Sequence, residues 1–272
     1  MQPKSKHTIT TLTGIAIVVA NMIGTGAFTS LGFQLKDLNN PSVVLTLWVL
    51  GGILALSGAF SYAEVGTVIS KSGGEYAFLS KIYNPLIGYL SGWISLTVGF
   101  AAPIAFSEYF PFGNFNVKWM SIALVAVITL IHTRSLKLSA EFQNISTLLK
   151  VILIVIIISI GLVLPEHSGN EIVSSKGYFT ELTSTAFAIA LIYVSYSYSG
   201  WNAAAYITEE FENPLKSLPK ALIGGTVLVT VLYTLLQYVF LKHVPVNDLA
   251  GQLNVGTIAT KQMLGEKAGS FF

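Results

Sequence analysis

The sequence contains no cysteine, and only 10% of its 272 residues are charged, against about a quarter in an ordinary soluble domain. The absence of cysteine excludes disulfides, thiolate metal sites and cysteine nucleophiles. The four histidines show no metal-ligand spacing, and the apolar segments contain neither paired carboxylates nor a nucleophile beside a base. We therefore expect no metal site, no cofactor, no enzymatic activity and no nucleic-acid partner.

Hydrophobic residues, in contrast, make up 53% of the chain, which is more than a water-soluble fold of this size can hide. About 20 consecutive apolar residues cross a bilayer core. On this criterion the sequence predicts seven spans, at residues 10–35, 43–69, 86–110, 119–132, 148–164, 185–207 and 221–241. We expect a multi-pass protein of the plasma or inner membrane, surrounded by the lipid bilayer.

Lysine and arginine residues are distributed unequally between the two sides of this topology. One side carries nine, namely Lys4, Lys6, Lys71, Lys81, Arg134, Lys137, Lys150, Lys216 and Lys220, and the other carries four up to the seventh span, namely Lys36, Lys118, Lys176 and Lys242. The positive-inside rule predicts that the richer side is cytoplasmic. Residues 1–9 then form a cytoplasmic tail, residues 10–241 the transmembrane domain, and residues 242–272 an extracellular loop that leads into an eighth helix.

The order of the spans predicts an inverted repeat. Five spans precede the polar loop at residues 165–181, and an odd number of crossings makes the next segment enter from the opposite face. Two spans of a second set follow, after which residues 243–267 are polar and predicted to be irregular. We expect a chain that is truncated relative to this architecture; a complete protein of seven spans is the alternative.

Two spans are interrupted by small and polar residues. The first contains Ala-Asn-Met-Ile-Gly-Thr-Gly-Ala-Phe at residues 20–28, and the sixth contains Tyr-Ser-Tyr-Ser-Gly-Trp-Asn at residues 196–202. Glycine permits non-helical backbone, and a break within a span leaves free N–H groups on one half-helix and free carbonyls on the other. The alternative is that these small residues only let helices pack closely.

Such a pair of breaks suits a zwitterion. The amides of Thr25, Gly26 and Ala27 would bind its carboxylate. Its ammonium group would bind carbonyls near Met22, Ile23, Tyr196 and Ser197. The interruptions therefore predict an amino acid site between the first and sixth spans.

Six motifs occur in order along the chain. They are Asn-Met-Ile-Gly-Thr-Gly-Ala-Phe at 21–28, Tyr-Ala-Glu-Val-Gly at 62–66, Ser-Lys-Ser-Gly-Gly-Glu-Tyr at 70–76, Ser-Gly-Trp-Asn at 199–202, Thr-Glu-Glu-Phe-Glu-Asn-Pro at 208–214 and Leu-Pro-Lys-Ala at 218–221. Together they resemble the amino acid–polyamine–organocation transporters, in particular the L-amino acid transporter group. The resemblance implies an all-α membrane protein with the LeuT-like fold. This chain would supply the first five-helix repeat and the first two helices of the inverted second repeat, with helices 1 and 6 unwound at mid-membrane.

The resemblance also implies which residues bind the substrate. Carried over, they are Asn21, Ile23, Gly24, Thr25, Gly26, Tyr196, Ser197, Tyr198, Ser199 and Gly200. Tyr196 matches an aromatic residue that closes over the substrate in relatives; the alternative is a tyrosine packed at a helix interface. No disulfide-linked partner is possible without cysteine, and the sequence predicts no oligomeric state.

Lys150 matches a lysine of helix 5 that similar transporters place where sodium-coupled relatives bind a sodium ion. An ammonium group there would tether helix 5 to helix 1, and we predict sodium independence with exchange or proton coupling. The alternative is that Lys150 extends to the inner surface. The charged residues between Lys71 and Lys81, and Glu209, Glu210 and Glu212, are expected to be solvated at that surface.

The expected function is secondary active transport of neutral L-amino acids by alternating access. A neutral substrate is favoured because the predicted pocket contains no acidic residue. The alternatives are a membrane sensor or assembly module that retains the amino acid site without transport, and an inactive transporter fragment.

Overall fold

A computed structural model describes residues 9–100, 136–172 and 176–266, together with the isolated positions 119, 122 and 126. The described residues are mostly helical. The helices are α1 Thr11–Met22, α2 Gly26–Gln34, α3 Pro41–Val68, α4 Glu75–Ile82, α5 Pro85–Ile94, α6 Leu136–Val163, α7 Tyr178–Leu182, α8 Thr185–Ser197, α9 Pro214–His243, α10 Val246–Leu249 and α11 Val255–Leu264. A π-helix at Ser95–Phe100 continues α5, and a 3-10 helix occupies Ala203–Glu210.

Several of these helices are long and apolar enough to cross a membrane. They are α3, residues 145–163 of α6, and α9, together with the pair of α1 and α2, which is bent by 42° at a short break. α8 is a shorter apolar helix in the predicted sixth span. The third predicted span is described as far as residue 100, and the fourth lies outside the described residues apart from the three isolated positions.

Three predicted spans start later than the helices that contain them, because helical turns with polar residues precede the apolar runs. α6 begins at Leu136 rather than at residue 148. α3 begins at Pro41, after the Asn40 side chain accepts a hydrogen bond from the Ser42 amide at 2.9 Å. α9 likewise begins at a proline, Pro214, rather than at residue 221. Proline suits the first helical position because the amide that it lacks would have no partner there.

The core lies where α9 packs against α3 and α1. Trp48, Tyr198 and Tyr233 form a buried aromatic cluster, with ring centroids 5.3–5.9 Å apart. α3 and α9 approach so closely that a Cβ atom added to Gly52 would lie 2.2 Å from Thr230 Cγ2. Close packing through small residues is the usual way in which membrane helices associate.

The stretch after the seventh span corrects one expectation. Residues 243–267 were predicted to be irregular, but they contain α10 and α11. Val255 and Ala259, four residues apart on α11, are both fully buried. This spacing places them on one helical face, which packs against α2 and α9. A short apolar stripe within a polar stretch therefore forms a helix once neighbours cover it.

Residues that the predicted topology places on one side of the membrane meet in the structure. Ile9 lies beside the end of the 3-10 helix, donating from its amide to Glu210 O at 3.1 Å and accepting from the Glu212 amide at 3.2 Å. At the same end, the Glu209 amide donates to Ser72 Oγ at 3.0 Å. This end corresponds to the predicted cytoplasmic side.

The opposite end gathers the residues predicted on the other side. Glu181 accepts hydrogen bonds from the amides of Asn39 and Asn40, at 3.2 and 3.1 Å. The Gly251 amide donates to Gly32 O at 2.7 Å. These loops therefore lie together at one end of the described helices.

The C-terminal end of α6 is held by two residues of α9. Lys242 Nζ donates to the carbonyls of Gly161, Leu162 and Leu164 at 3.1, 3.0 and 2.7 Å. The buried His243 ring places Nε2 2.7 Å from Gly161 O. The last carbonyls of a helix have no intrahelical partner, so these donors satisfy them and stabilise that end of α6.

We predict that Lys242→Met destabilises the protein by about 2 kcal/mol, because it removes a charged donor from three carbonyls at the end of α6, two of them part-buried. Thermal melting of the purified full-length protein in detergent measures this. Lys261→Met is the matched control, since within the described part of the chain the Lys261 ammonium has one recorded contact, an ion pair of 2.8 Å with Glu266, whose side chain is 83% exposed. Its loss should cost less than about 0.5 kcal/mol. Equal melting temperatures for the two variants would contradict this account of the α6 end.

Candidate functional site

The first break lies between α1 and α2. α1 ends at Met22, Ile23 has an extended backbone, and α2 begins at Gly26. The first hydrogen bond of the second half-helix runs from the Phe28 amide to Thr25 O at 2.9 Å. Helix geometry leaves the earlier amides of α2 without an intrahelical partner, at the positive end of the helix dipole. The break can therefore bind an anion.

The second break follows α8 and lies directly against the first. Gly200 has a positive φ of 97°, a conformation that other residues rarely adopt. A Cβ atom at this position would lie 2.7 Å from the carbonyl oxygen of Asn21. Position 200 therefore requires glycine for two reasons: the positive φ, and the close approach of the Asn21 carbonyl oxygen. The predicted interruptions of the first and sixth spans are both confirmed, and the structure brings them together.

Ser197 of α8 lies directly against Gly26 of α2. A Cβ atom on Gly26 would lie 2.8 Å from Ser197 Oγ and 3.1 Å from Ser197 Cα. Ser30 Oγ lies 2.7 Å from Ser197 Oγ, and both serines are buried. Since Ser197 Oγ donates to Tyr193 O at 3.1 Å, Ser30 is the donor to Ser197. Sequence reasoning missed Ser30, although its position four residues after Gly26 places it on the same helical face.

Protein donors occupy the carbonyls at the first break. Tyr233 of α9 donates its hydroxyl to Met22 O at 2.6 Å. Lys150 of α6 donates to Ile23 O at 3.2 Å. Lys150 therefore links α6 to the break through this bond, although the residue as a whole is exposed. Tyr233 was not predicted; the signal for it is a polar side chain inside an apolar span.

The predicted site residues differ widely in exposure. Ile23, Ser197 and Tyr198 are buried, Gly26 and Gly200 are partly buried, and Asn21, Gly24, Thr25, Tyr196 and Ser199 are exposed. The backbones of residues 21–26 and 196–200 meet at the breaks, but the side chains of these residues point in different directions. The amide group of Asn21, for example, donates to Ile17 O within α1 at 2.9 Å.

The two tyrosines of the sixth span require a correction. Tyr198 was predicted to contact substrate, but its side chain is 1% exposed and its hydroxyl donates to Trp48 O at 3.0 Å, inside the core. Tyr196 is 68% exposed, so it is not the packed interface residue that was the alternative. Tyr196 and Tyr198 are two residues apart, so their side chains point to opposite sides of the segment. The sequence alone does not indicate which of the two tyrosines faces the core.

Several described helices are apolar and long enough to cross a membrane, the span of α1 and α2 is broken, and a second break after the shorter α8 lies against it. These features define a multi-pass α-helical membrane protein of the kind in which cargo sites lie between discontinuous helices. The particular family follows from the sequence. Residues 9–272 match the amino acid permease family, and the chain belongs to it. The fold is accordingly the LeuT-like fold of this family, whose members are transporters and not enzymes.

Individual relatives are transporters and exchangers of amino acids. The chain is 35% identical to the human b(0,+)-type amino acid transporter 1, over 88% of the chain and 52% of the relative. It is 30% identical to the human cystine/glutamate transporter, over 96% of the chain and 54% of that protein. It is also 30% identical to the serine/threonine exchanger SteT of Bacillus subtilis (strain 168), over 94% of the chain and 60% of that protein. The chain thus spans about half the length of these relatives.

We predict that Gly26→Ala weakens amino acid binding by about tenfold or more, because the added methyl group would force α2 away from Ser197. Binding of radiolabelled neutral amino acids to the purified full-length protein measures the change. Gly224→Ala is the control, since its methyl group would meet only the flexible end of Ile15, at 3.3 Å. Unchanged affinity in Gly26→Ala would contradict the assignment of the site to this contact.

Proposed function

We propose that the full-length protein containing this chain is a secondary transporter of neutral L-amino acids that works by alternating access. The observation that carries the proposal is the contact between the two breaks, Gly200 against Asn21 and Ser197 against Gly26. Unwound backbone within a membrane is tolerated only where protein or a wet cavity satisfies it. Two such stretches in contact form a polar site surrounded by apolar helices.

The substrate carboxylate would bind the amides of Thr25, Gly26 and Ala27, at the start of α2. For the ammonium group the geometry favours the end of α8. The carbonyls of Met22 and Ile23 already accept hydrogen bonds from Tyr233 and Lys150. The carbonyls at the C-terminal end of α8 carry the negative end of that helix dipole. Since the Tyr196 carbonyl accepts from the Ser199 amide at 3.0 Å, we favour the Ser197 carbonyl as the partner. Tyr196 remains our candidate for the side chain that closes over the bound ligand.

A neutral side chain fits the surroundings of the breaks. Residues 17–30 and 193–204, which include both breaks and the adjoining turns, contain no aspartate or glutamate. A substrate with a cationic side chain would find no opposite charge among these residues. The same absence argues against a polyamine.

The position of Lys150 argues against sodium as the coupling ion. Its ammonium group donates to Ile23 O, a carbonyl of the kind that coordinates a cation at an unwound helix. A resident positive charge beside that carbonyl disfavours a sodium ion there, since like charges at short range repel. We therefore propose sodium-independent transport, by exchange or by proton coupling. Separately, the distribution of lysine and arginine leads us to propose that the N-terminus is on the cytoplasmic side.

Replacing external sodium by choline is expected to leave amino acid uptake unchanged within about twofold, because no sodium ion has to bind beside a like charge. The measurement uses the full-length protein in proteoliposomes with equal ionic strength on both sides. A pH gradient at constant sodium serves as the comparison. Uptake that disappears in choline would refute the role proposed for Lys150.

Loading the vesicles with amino acids distinguishes the proposed function from its alternatives. We expect uptake of a radiolabelled mixture of neutral amino acids to increase when an unlabelled pool is inside, because an exchanger needs cargo to return. Uptake that depends only on a pH gradient would indicate proton coupling. Binding without uptake by correctly inserted protein would contradict transport and support a sensor or assembly module.

A further inference from the structure

The loop between α3 and α4 lies against the segment that follows the second break. The amides of Gly73 and Gly74 donate to the carbonyls of Tyr206 and Ala205, at 3.1 and 3.2 Å. The adjacent Ser72 exchanges hydrogen bonds with Glu209 at 3.2 and 3.0 Å. These bonds bind the loop to the 3-10 helix along most of its length.

The carboxylate of Glu75 forms the centre of this contact. One of its oxygens accepts a hydrogen bond from Asn202 Nδ2, and the other accepts one from the Tyr206 hydroxyl. Glu75 is the first residue of α4, where the helix dipole favours a negative charge. It was expected to be one of several solvated charges, but both of its oxygens bind the segment after the break.

Aromatic rings fix the same segment from the side of α3. Trp201 lies edge-on to Tyr62, with ring centroids 4.8 Å apart. A Cβ atom on Gly58 of α3 would lie 2.6 Å from the Trp201 ring, so the ring sits directly on the helix backbone. The segment therefore cannot move away from α3 without exposing Trp201.

The cluster beneath these contacts is small and separate from the main core. Its buried members are Ala77, Phe78 and Ala205, whereas the main core surrounds α1, α3 and α9. Hydrogen bonds can be exchanged for bonds to water, and regions with few buried apolar contacts open at low free energy. This contact is thus built to release more readily than the packing of α9 on α3.

We propose that Glu75 is a positioning residue whose carboxylate latches residues 202–209 to the start of α4, and that release of this latch opens the face predicted to be cytoplasmic. The proposal rests on the proposed transport function, in which this face opens and closes. Residues 202–209 continue directly from the break at Gly200, so a rotation of the broken helix about Gly200 must separate Glu75 from Asn202 and Tyr206.

The absence of cysteine in this chain permits a direct test. Ala205 is fully buried in the small cluster beneath the latch, and Ala205→Cys adds only a sulfur atom as a reporter. In full-length protein without other cysteines, the rate of labelling by a membrane-impermeant maleimide is measured from each side of the vesicle. Glu75→Gln should raise the rate from the α4 side by about tenfold or more, because the amide nitrogen of glutamine replaces one charged acceptor with a donor.

Glu212→Gln is the matched control, since it removes the same charge from an exposed residue on the same face, and should change the rate by less than about twofold. Tyr206→Phe, which keeps the ring and removes only the hydroxyl, should also raise the rate. Combined with Glu75→Gln it should add little, because both changes break the same bond. If Glu75→Gln does not fold, Tyr206→Phe provides the same test.

Labelling of Glu75→Gln at the control rate would overturn the latch. It would also be overturned if the labelling rate of the double variant rose by the product of the increases in the two single variants. Labelling needs no transport, so the two hypotheses are separable. A labelling response in a protein that transports no amino acid would refute the proposed function and retain the latch. Normal transport without a labelling response would refute the latch alone.

Discussion

The hydrogen bonds that reach the unwound backbone at Ile23 are the constraint on which the rest of the structure depends. A break inside a membrane span leaves carbonyls that protein groups or a wet cavity must satisfy, and each unsatisfied group costs several kcal/mol. Tyr233 and Lys150 supply the missing donors, from α9 and α6 respectively. The first span can therefore be broken only while α6 and α9 stand beside it, which ties the packing of these helices to the existence of the site.

The same arrangement gives the break its chemical polarity. The carbonyl side is occupied by a hydroxyl and an ammonium group of the protein, whereas the first amides of α2 have no intrahelical partner. An incoming group therefore meets donors at the start of α2 and would have to compete for acceptors at Met22 and Ile23. A carboxylate is the group that gains most from that asymmetry, because it accepts several hydrogen bonds and its charge is stabilised by the helix dipole.

The sequence predicted the parts of this design that backbone chemistry dictates. Glycine and serine inside apolar spans predicted both breaks, and long apolar runs predicted α3, α6 and α9. It did not predict which way side chains face, because that depends on neighbours. Tyr198 points into the core and Tyr196 does not, although both carry the same side chain. Glu75 illustrates the same limit, since a carboxylate at a helix start is common, and its partners lie more than a hundred residues away.

Each broken helix consists of two halves, and the contacts join these four halves into two pairs. On one side of the breaks, α2 is tied to α8 by the Ser30–Ser197 hydrogen bond and by the stacked rings of Phe33 and Tyr193, 5.6 Å apart. On the other side, α1 packs against the 3-10 helix, with Ile9 bonded to its end. Each half-helix is thus joined to a half of the other broken helix across the same side. A rotation at the breaks would move one pair relative to the other while leaving the contacts within each pair intact. The breaks that we propose as the ligand site are therefore also the points about which such a motion would turn.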